Sequence, residues 1–471
     1  MSESKRYLGW VLVAWTAKLG FALVAVAIPL LGVWIGSSLA KATGGPLWLP
    51  IVAGALCFPV LPLLWEGVGR WRHRKRERPR ILTLFDRLLL RTLAVNLAFV
   101  GTLIFLYPAT VFTALSEHGD WMLEGHDVPW AEDALHDTAD RMRWLHELTH
   151  PNAYEELIDP EATGVDADPT DWDEYAWQPS QSPEDIFRDE AWPFAPELHP
   201  LVRAIPIEQQ DTPEEVGAYF AQHEVDPLRR LKAVHDYVAD RTAYDVEALR
   251  TMSFPPQDAQ SVLDARIAVC AGYSQLVRAI GEAAGLEVVV VVGKTRGGSD
   301  RGHAWNAAKV QGRWYLLDAT WDAGSVGADG FTKRFGTRYL MTPPDVFLYD
   351  HFPDEAKWQL RETPLSLGDF LRRPDLEPSF FAYGFALVSP TRSTVEVRGR
   401  SVTVELKNPN GFAVHAQSYA GESWDAPATR CEVEDGERVI CPLQREGANL
   451  VVLFGPDNTN MGQVLVTALG T

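Results

Sequence analysis

Positive charge is what most of this 471-residue chain lacks. Residues 116–471 carry 30 Lys/Arg against 59 Asp/Glu, a net of −29, whereas residues 1–115 carry 13 against 4, a net of +9. A body this acidic repels phosphate and excludes nucleic acid as its partner. Charge of either sign is missing altogether from three stretches, 19–40, 42–65 and 92–116. Each is long enough to cross a bilayer, which takes about 20 apolar residues. Uncharged runs of this length exclude a uniformly soluble protein, and the chain is too long for one ordinary domain.

What is there begins with those runs. Residues 7–17 are also apolar and only Lys18 interrupts them, so this segment either extends the first span or lies at the interface as an amphipathic lead-in, with Lys18 snorkelling. A cleaved signal peptide does not fit, because the apolar region is too long and two more spans follow. Between the second and third spans, residues 70–80 hold seven Lys/Arg, and Arg87 and Arg91 follow. Such a cluster between spans marks a cytoplasmic loop. The expectation is an integral membrane protein: residues 1–116 form a three-helix anchor with the N-terminus in the cytoplasm, and everything beyond is extracytoplasmic or periplasmic.

Residues 117–190 hold 22 Asp/Glu against 3 Lys/Arg, with tryptophans scattered among them. Residues 117–205 read as an acidic, Trp-rich linker with a short helix over 131–148, its tryptophans anchoring it to the next domain; a disordered acidic spacer is the alternative. The segment contains His146-Glu147-Leu148-Thr149-His150, a match to H-E-x-x-H, in which two histidines on one helical face can hold zinc. Pro151 weighs against it, since the residue before proline is pushed out of the helical region. No third ligand stands out beyond nearby Glu155 and Glu156.

The chemistry points elsewhere. Cysteine is scarce, four in the chain: Cys57, Cys270, Cys431 and Cys441. After Cys270 the pattern becomes helical, with Tyr273, Leu276, Val277, Ile280 and Ala284 on one side and Gly285 as a stop. Cys270 therefore sits at a helix N-terminus, where free N–H groups and the dipole favour a thiolate. Glu287–Val292, with five consecutive valines, reads as a buried strand. Strands over 302–310 and 313–321 follow, joined by Gln311-Gly312. If that turn holds two residues, Val310 faces Arg313 and Asp318 faces Trp305, with His303 two positions along on the same face. A one-residue slip would separate His303 from Asp318. Cys270 would then be the nucleophile. His303 would keep the thiol ionised and protonate the leaving amine, and Asp318 would hold the imidazole. No cofactor is required. Tyr273, Trp305 and Trp321 are candidates for the substrate groove.

The strings AVCAGYS around Cys270, GHAWN around His303 and LLDATWDAG around Asp318 resemble the transglutaminase-like superfamily, in the same order and with gaps of 33 and 15 residues. Arg338–Pro343, then YDHFP at 349–353 and KWQL at 357–360, resemble the kyphoscoliosis-peptidase type in particular. The resemblance covers about 220 to 365. It implies a papain-like core, a Cys-bearing helix on an antiparallel sheet, for the catalytic domain at 206–370. Its members include peptidases, amidases and cross-linkers, so it leaves the reaction open. His351 and Trp358 are read as packing the domain edge.

Short strands between Gly, Asn and Pro turns fill 377–471, which reads as an Ig-like β-sandwich. Cys431 and Cys441 flank a turn at Asp435-Gly436 and oppose each other only if that turn has three residues; an extracytoplasmic setting permits the bond. Cys57, within a span, is inert, and Cys270 is the odd thiol left. The fold class is thus α+β: a transmembrane anchor, a papain-like transglutaminase core and a sandwich. The expected function is a membrane-anchored cysteine peptidase or acyltransferase acting on peptide or protein amides. A non-catalytic envelope scaffold of the same fold, and a zinc peptidase through His146 and His150, are the alternatives.

Overall fold

The uncharged stretches of the front end are helical in the computed structural model, which describes residues 3–46, 48–73, 82–123, 126, 128–147, 152–158, 160–163, 192–296, 302–327 and 329–469. The chain divides into two units, Met1–Thr149 and His150–Thr471.

In the first unit, a single helix covers Glu3–Ala42. Three segments are long and apolar enough to cross a membrane: Leu23–Ala42, Trp48–Arg72 and Leu84–Leu106. The third differs from the expected 92–116. It starts at a capping box in which Thr83 Oγ1 accepts the Asp86 N–H and the Asp86 carboxylate accepts the Thr83 N–H. It ends at Tyr107 (φ −139, ψ 48), because Pro108 disfavours helical geometry in the residue before it and opens a separate helix, Pro108–His118. Arg87 and Arg91 have a second use beyond marking a loop. Together with Arg70 they surround the buried Glu66 carboxylate, at 3.0, 2.7 and 2.9 Å. A carboxylate this buried needs such counter-charges.

The acidic segment is more structured than a spacer at its described ends. Helices span Pro129–Asp140 and Arg143–Glu147, shorter than the single helix expected over 131–148. Trp130 and Trp144 are exposed, at 76% and 56%, whereas Trp192 is buried against Val346 and Ala382. The tryptophans at 172 and 177, His150 and the side chain of His146 lie outside the described residues, so the H-E-x-x-H geometry is not described.

In the second unit, four antiparallel strands, β1 (Glu287–Thr295), β2 (His303–Val310), β3 (Arg313–Leu317) and β4 (His351–Pro353), pair in the order β3-β2-β1-β4. Gln311 and Gly312 both adopt positive φ, 54 and 84, the requirement of a tight primed hairpin turn. Val310 is thereby set opposite Arg313 and Asn306 opposite Leu317. Both faces of the sheet are buried. Val288, Val290, Ala304 and Ala308 lie with the Cys270 helix, while Val289, Val291, Trp305 and Ala307 lie with Tyr339, Phe347 and Trp358. Burial on two faces is why 288–292 is an unbroken run of valine rather than an alternation.

The C-terminal region is sheet-rich. A four-stranded and a larger sheet share one core built from Val402, Val404, Val439, Val451 and Val464. In the larger sheet Thr394–Arg398 runs parallel to Asn460–Leu469. Glu432 pairs with Ile440 and Glu434 with Arg438 around a three-residue turn, and Cys431 and Cys441 are bonded.

Two fully buried histidines lie between carboxylates. His235 sits 3.0 Å from Asp236 and 3.2 Å from Asp322, and His351 sits 2.5 Å from Asp350 and 3.1 Å from Asp318. Burial favours the neutral ring, but the flanking carboxylates outweigh it and raise both histidines to about 9. An unfolded histidine titrates near 6.5. Their stabilising contribution is therefore complete below about pH 6.5 and disappears as the pH rises through about 9. The melting temperature of the detergent-solubilised chain is expected to fall between pH 7 and pH 10. A flat profile over that window contradicts the assignment.

Candidate active site

Cys270 owes its position to the segment before it. Ile267–Ala268 pairs in parallel with Ala243–Tyr244, Val269 stays extended (φ −91, ψ 177), and Gln257 Oε1 accepts the Val269 N–H at 3.1 Å. The chain then turns into the helix Cys270–Ala283, so the thiol lies in its first turn at the positive end of the dipole.

His303 is the first residue of β2. Its Nε2 lies 2.7 Å from Asp318 Oδ2, and Cys270 stands close enough to act on its charge. With Nε2 committed to Asp318, Nδ1 is the nitrogen left for the thiol. Asp318 follows the end of β3, and its Oδ1 accepts the N–H groups of Thr320 (2.8 Å) and Trp321 (3.3 Å). Burial disfavours charge on both groups, yet each supports the other. Asp318 and Cys270 raise His303 to about 9, while His303 and His351 hold Asp318 well below the usual carboxylate range.

The groove candidates separate. Trp321 lines a cleft of about 580 Å³ that opens onto His303 and is also bounded by Tyr154, Tyr244, Arg338 and Glu377. Trp305 is instead buried in the core on the far face of the sheet, its ring 5.9 Å from that of His303. Tyr273 is a core residue whose hydroxyl donates to the Thr242 carbonyl at 2.6 Å. Neither Trp305 nor Tyr273 lines the cleft.

Two features were not legible as parts of the site. The first is His351, read as edge packing. Its Nε2 reaches the same Asp318 oxygen at 3.1 Å, and its Nδ1 faces Asp350. The YDHFP string was the available signal, but nothing in the spacing said that β4 would return beside β1. The second is the cover. Cys270 has no exposed surface, and Tyr154, Ile158 and Ala162 are buried in one cluster with Cys270, Val290 and Ala304. Asn152 Nδ2 donates to the carbonyls of Gly293 (3.1 Å) and His303 (3.4 Å), and Gln275 Nε2 donates to that of Leu157 (3.0 Å). Gly302, at φ +91, leaves room for Asn152, whose side chain sits 2.3 Å from where a Cβ would stand. Tyr154 and Tyr244 both line the cleft, and Cys270 is absent from its lining.

His303, Asp318 and His351 also cluster closely enough to raise the question of a metal. The 2.7 Å between His303 Nε2 and Asp318 Oδ2 answers it. Ligands ~2 Å from one tetrahedral zinc stand ~3.3 Å apart. The two imidazoles each hydrogen-bond Asp318 Oδ2, so the three groups form a hydrogen-bonded chain with Asp318 in the middle.

Residues 214–319, which span the Cys270 helix, β1, β2, β3 and Asp318, match the model of the transglutaminase-like superfamily. The chain carries a transglutaminase-like domain. Kyphoscoliosis peptidase of Mus musculus is 33% identical over 201 residues, and that of Homo sapiens 32%. Each match covers 39% of this chain and 30% of the relative, so the chain spans under a third of the length of these relatives. The Lim and transglutaminase domain protein of Caenorhabditis elegans is 31% identical over 137 residues, 25% of this chain and 19% of that protein. Among solved structures, the crystal structure of a TGase aligns with 27% of this chain and 35% of its own at 24% identity and a TM-score of 0.22. The transglutaminase-like domain is of the kyphoscoliosis-peptidase-like type, as its strings suggested.

Proposed function

We propose that the chain is a membrane-anchored cysteine enzyme that cleaves or transfers acyl groups of peptide or protein amides through a thioester on Cys270. The observation that carries this reading is the His303–Asp318 hydrogen bond beside Cys270, with the thiol at a helix N-terminus. The thiolate attacks the amide carbonyl and a C–S bond forms. The proton on His303 Nδ1 passes to the nitrogen as the C–N bond breaks and the amine leaves. Water or another amine then attacks the thioester, gives its proton back to His303 and releases Cys270 as the thiolate. Hydrolysis is the favoured outcome, because water competes wherever no amine site excludes it. The three apolar helices support anchoring, and the basic residues at 70–80 support an N-terminus in the cytoplasm with both folded domains on the opposite side. The two C-terminal sheets support an Ig-like sandwich as a substrate-side module.

The test uses the full chain in detergent micelles with casein, assayed for new amino termini and for incorporation of a fluorescent primary amine. Either product, absent in Cys270→Ala, supports the reading and tells hydrolysis from transfer. A wild-type chain that forms neither product, and whose Cys270 reacts with iodoacetamide no faster than a free cysteine once exposed, is a scaffold.

A further inference from the structure

The side chain that the proposed triad leaves unused is His351. It is fully buried, and both of its ring nitrogens face carboxylate oxygens: Nε2 faces Asp318 Oδ2 at 3.1 Å and Nδ1 faces Asp350 Oδ1 at 2.5 Å. An ionised carboxylate only accepts, so both nitrogens must carry protons, and the ring is an imidazolium. Four aromatic rings enclose that cation, with centroids 4.2 Å (Phe347), 4.5 Å (Trp321), 5.2 Å (Trp305) and 5.3 Å (Tyr339) away. Such distances are those of cation–π contacts. Behind it, Tyr339 donates its hydroxyl to Asp350 Oδ2 at 2.6 Å and so fixes the carboxylate that holds the ring.

We infer that His351 is a positioning residue: clamped as a cation by Asp350, it fixes the Asp318 carboxylate and offsets its charge, which sets how strongly His303 holds its proton. Asp318 then receives four donors, the amides of Thr320 and Trp321 on one oxygen and the two imidazoles on the other. No lone-pair direction is left to let it turn. The second imidazolium, its ring centroid 5.5 Å from that of His303, opposes a charge on His303. The other groups facing the pair are few. Cys270 and Asp318 bear on His303, Asp350 bears on His351, and Tyr244 and Tyr339 are buried phenols whose burial holds them neutral. Arg338 and Glu377 stand farther off and act on Tyr339; burial raises Glu377 to about 7, so its charge opposite Arg338 changes within the same pH range.

This inference rests on the triad reading, and one experiment separates the two. The pH profile of iodoacetamide labelling at Cys270 is recorded by mass spectrometry on the full chain, for the wild type, His351→Gln, Asp350→Asn and His303→Asn. Glutamine keeps a donor for Asp318 but removes the charge. The midpoints of the His351→Gln profile are expected to move up by about one pH unit, since a fixed cation lowers the pKa of its neighbours. Asp350→Asn, which lets His351 discharge, is expected to move them the same way by less. A structural loss would change amplitude and melting temperature and leave the midpoints in place. Unmoved or lowered midpoints in both variants overturn the positioning role. A wild-type profile like that of a free cysteine, insensitive to His303→Asn, overturns the triad reading instead.

Discussion

His303→Asn is expected to lower turnover of an amide substrate at neutral pH by about 10²–10⁴-fold while Cys270 stays in place. The range is that of losing a positioned acid–base group. The imidazole has two tasks in the proposed cycle, keeping the thiol ionised and handing a proton to the leaving amine, and asparagine performs neither. Asp318→Asn is expected to act through the same group. The carboxylate is what outweighs burial and keeps His303 charged up to about 9, so its loss lets burial prevail and His303 discharges at lower pH. The pH optimum of Asp318→Asn should therefore move to the acid side. His303→Asn should lose activity at every pH. Turnover of casein by the full chain over pH 5 to 10 checks both, with far-ultraviolet circular dichroism to show that each variant is folded. Equal activity in His303→Asn and wild type would falsify the acid–base assignment.

The reach of the sequence differs between the parts of this site. His303 and Asp318 were legible because both lie on one hairpin, whose register is set locally by the left-handed conformations of Gln311 and Gly312. Cys270 was legible because its helix carries an apolar stripe and a glycine stop. His351 was not, since its place depends on β4 pairing with β1 across more than 50 intervening residues, a contact that no local pattern encodes. The helix break at Tyr107 was readable in principle from Pro108, yet hydropathy alone ran through it. Tyr273 shows the converse limit. Its neighbours' periodicity places it on the buried face of the helix, and only the contact with Thr242 decides that a buried tyrosine there serves the core rather than a groove. The Tyr154 strap was the hardest to see, because it comes from an acidic stretch whose composition suggests solvent exposure while its few apolar residues do the packing.

Tyr154→Ala is expected to raise the rate at which iodoacetamide labels Cys270 by about 30- to 150-fold. The thiol has no exposed surface, and the cleft that reaches His303 stops short of it. A reagent can meet the sulfur only when residues 152–158 and 160–163 lift away, so labelling reports the population of that open form when opening is fast. Tyr154 is 1% exposed and is the largest of the strap's buried side chains. Burying a side chain of this size is worth about 2–3 kcal/mol, which sets the expected increase. Asn152→Ala should act in the same direction by less, since it removes two hydrogen bonds, of 3.1 and 3.4 Å, to carbonyls that water can satisfy once the strap is open. Cys57, in the other unit, is the internal control, and its labelling should not change. If Cys270 labels no faster in Tyr154→Ala while the melting temperature falls, the segment is structural packing. If it labels faster at an unchanged melting temperature, residues 152–158 and 160–163 are a removable cover, and substrate must displace Tyr154 before His303 and Cys270 can act on it together.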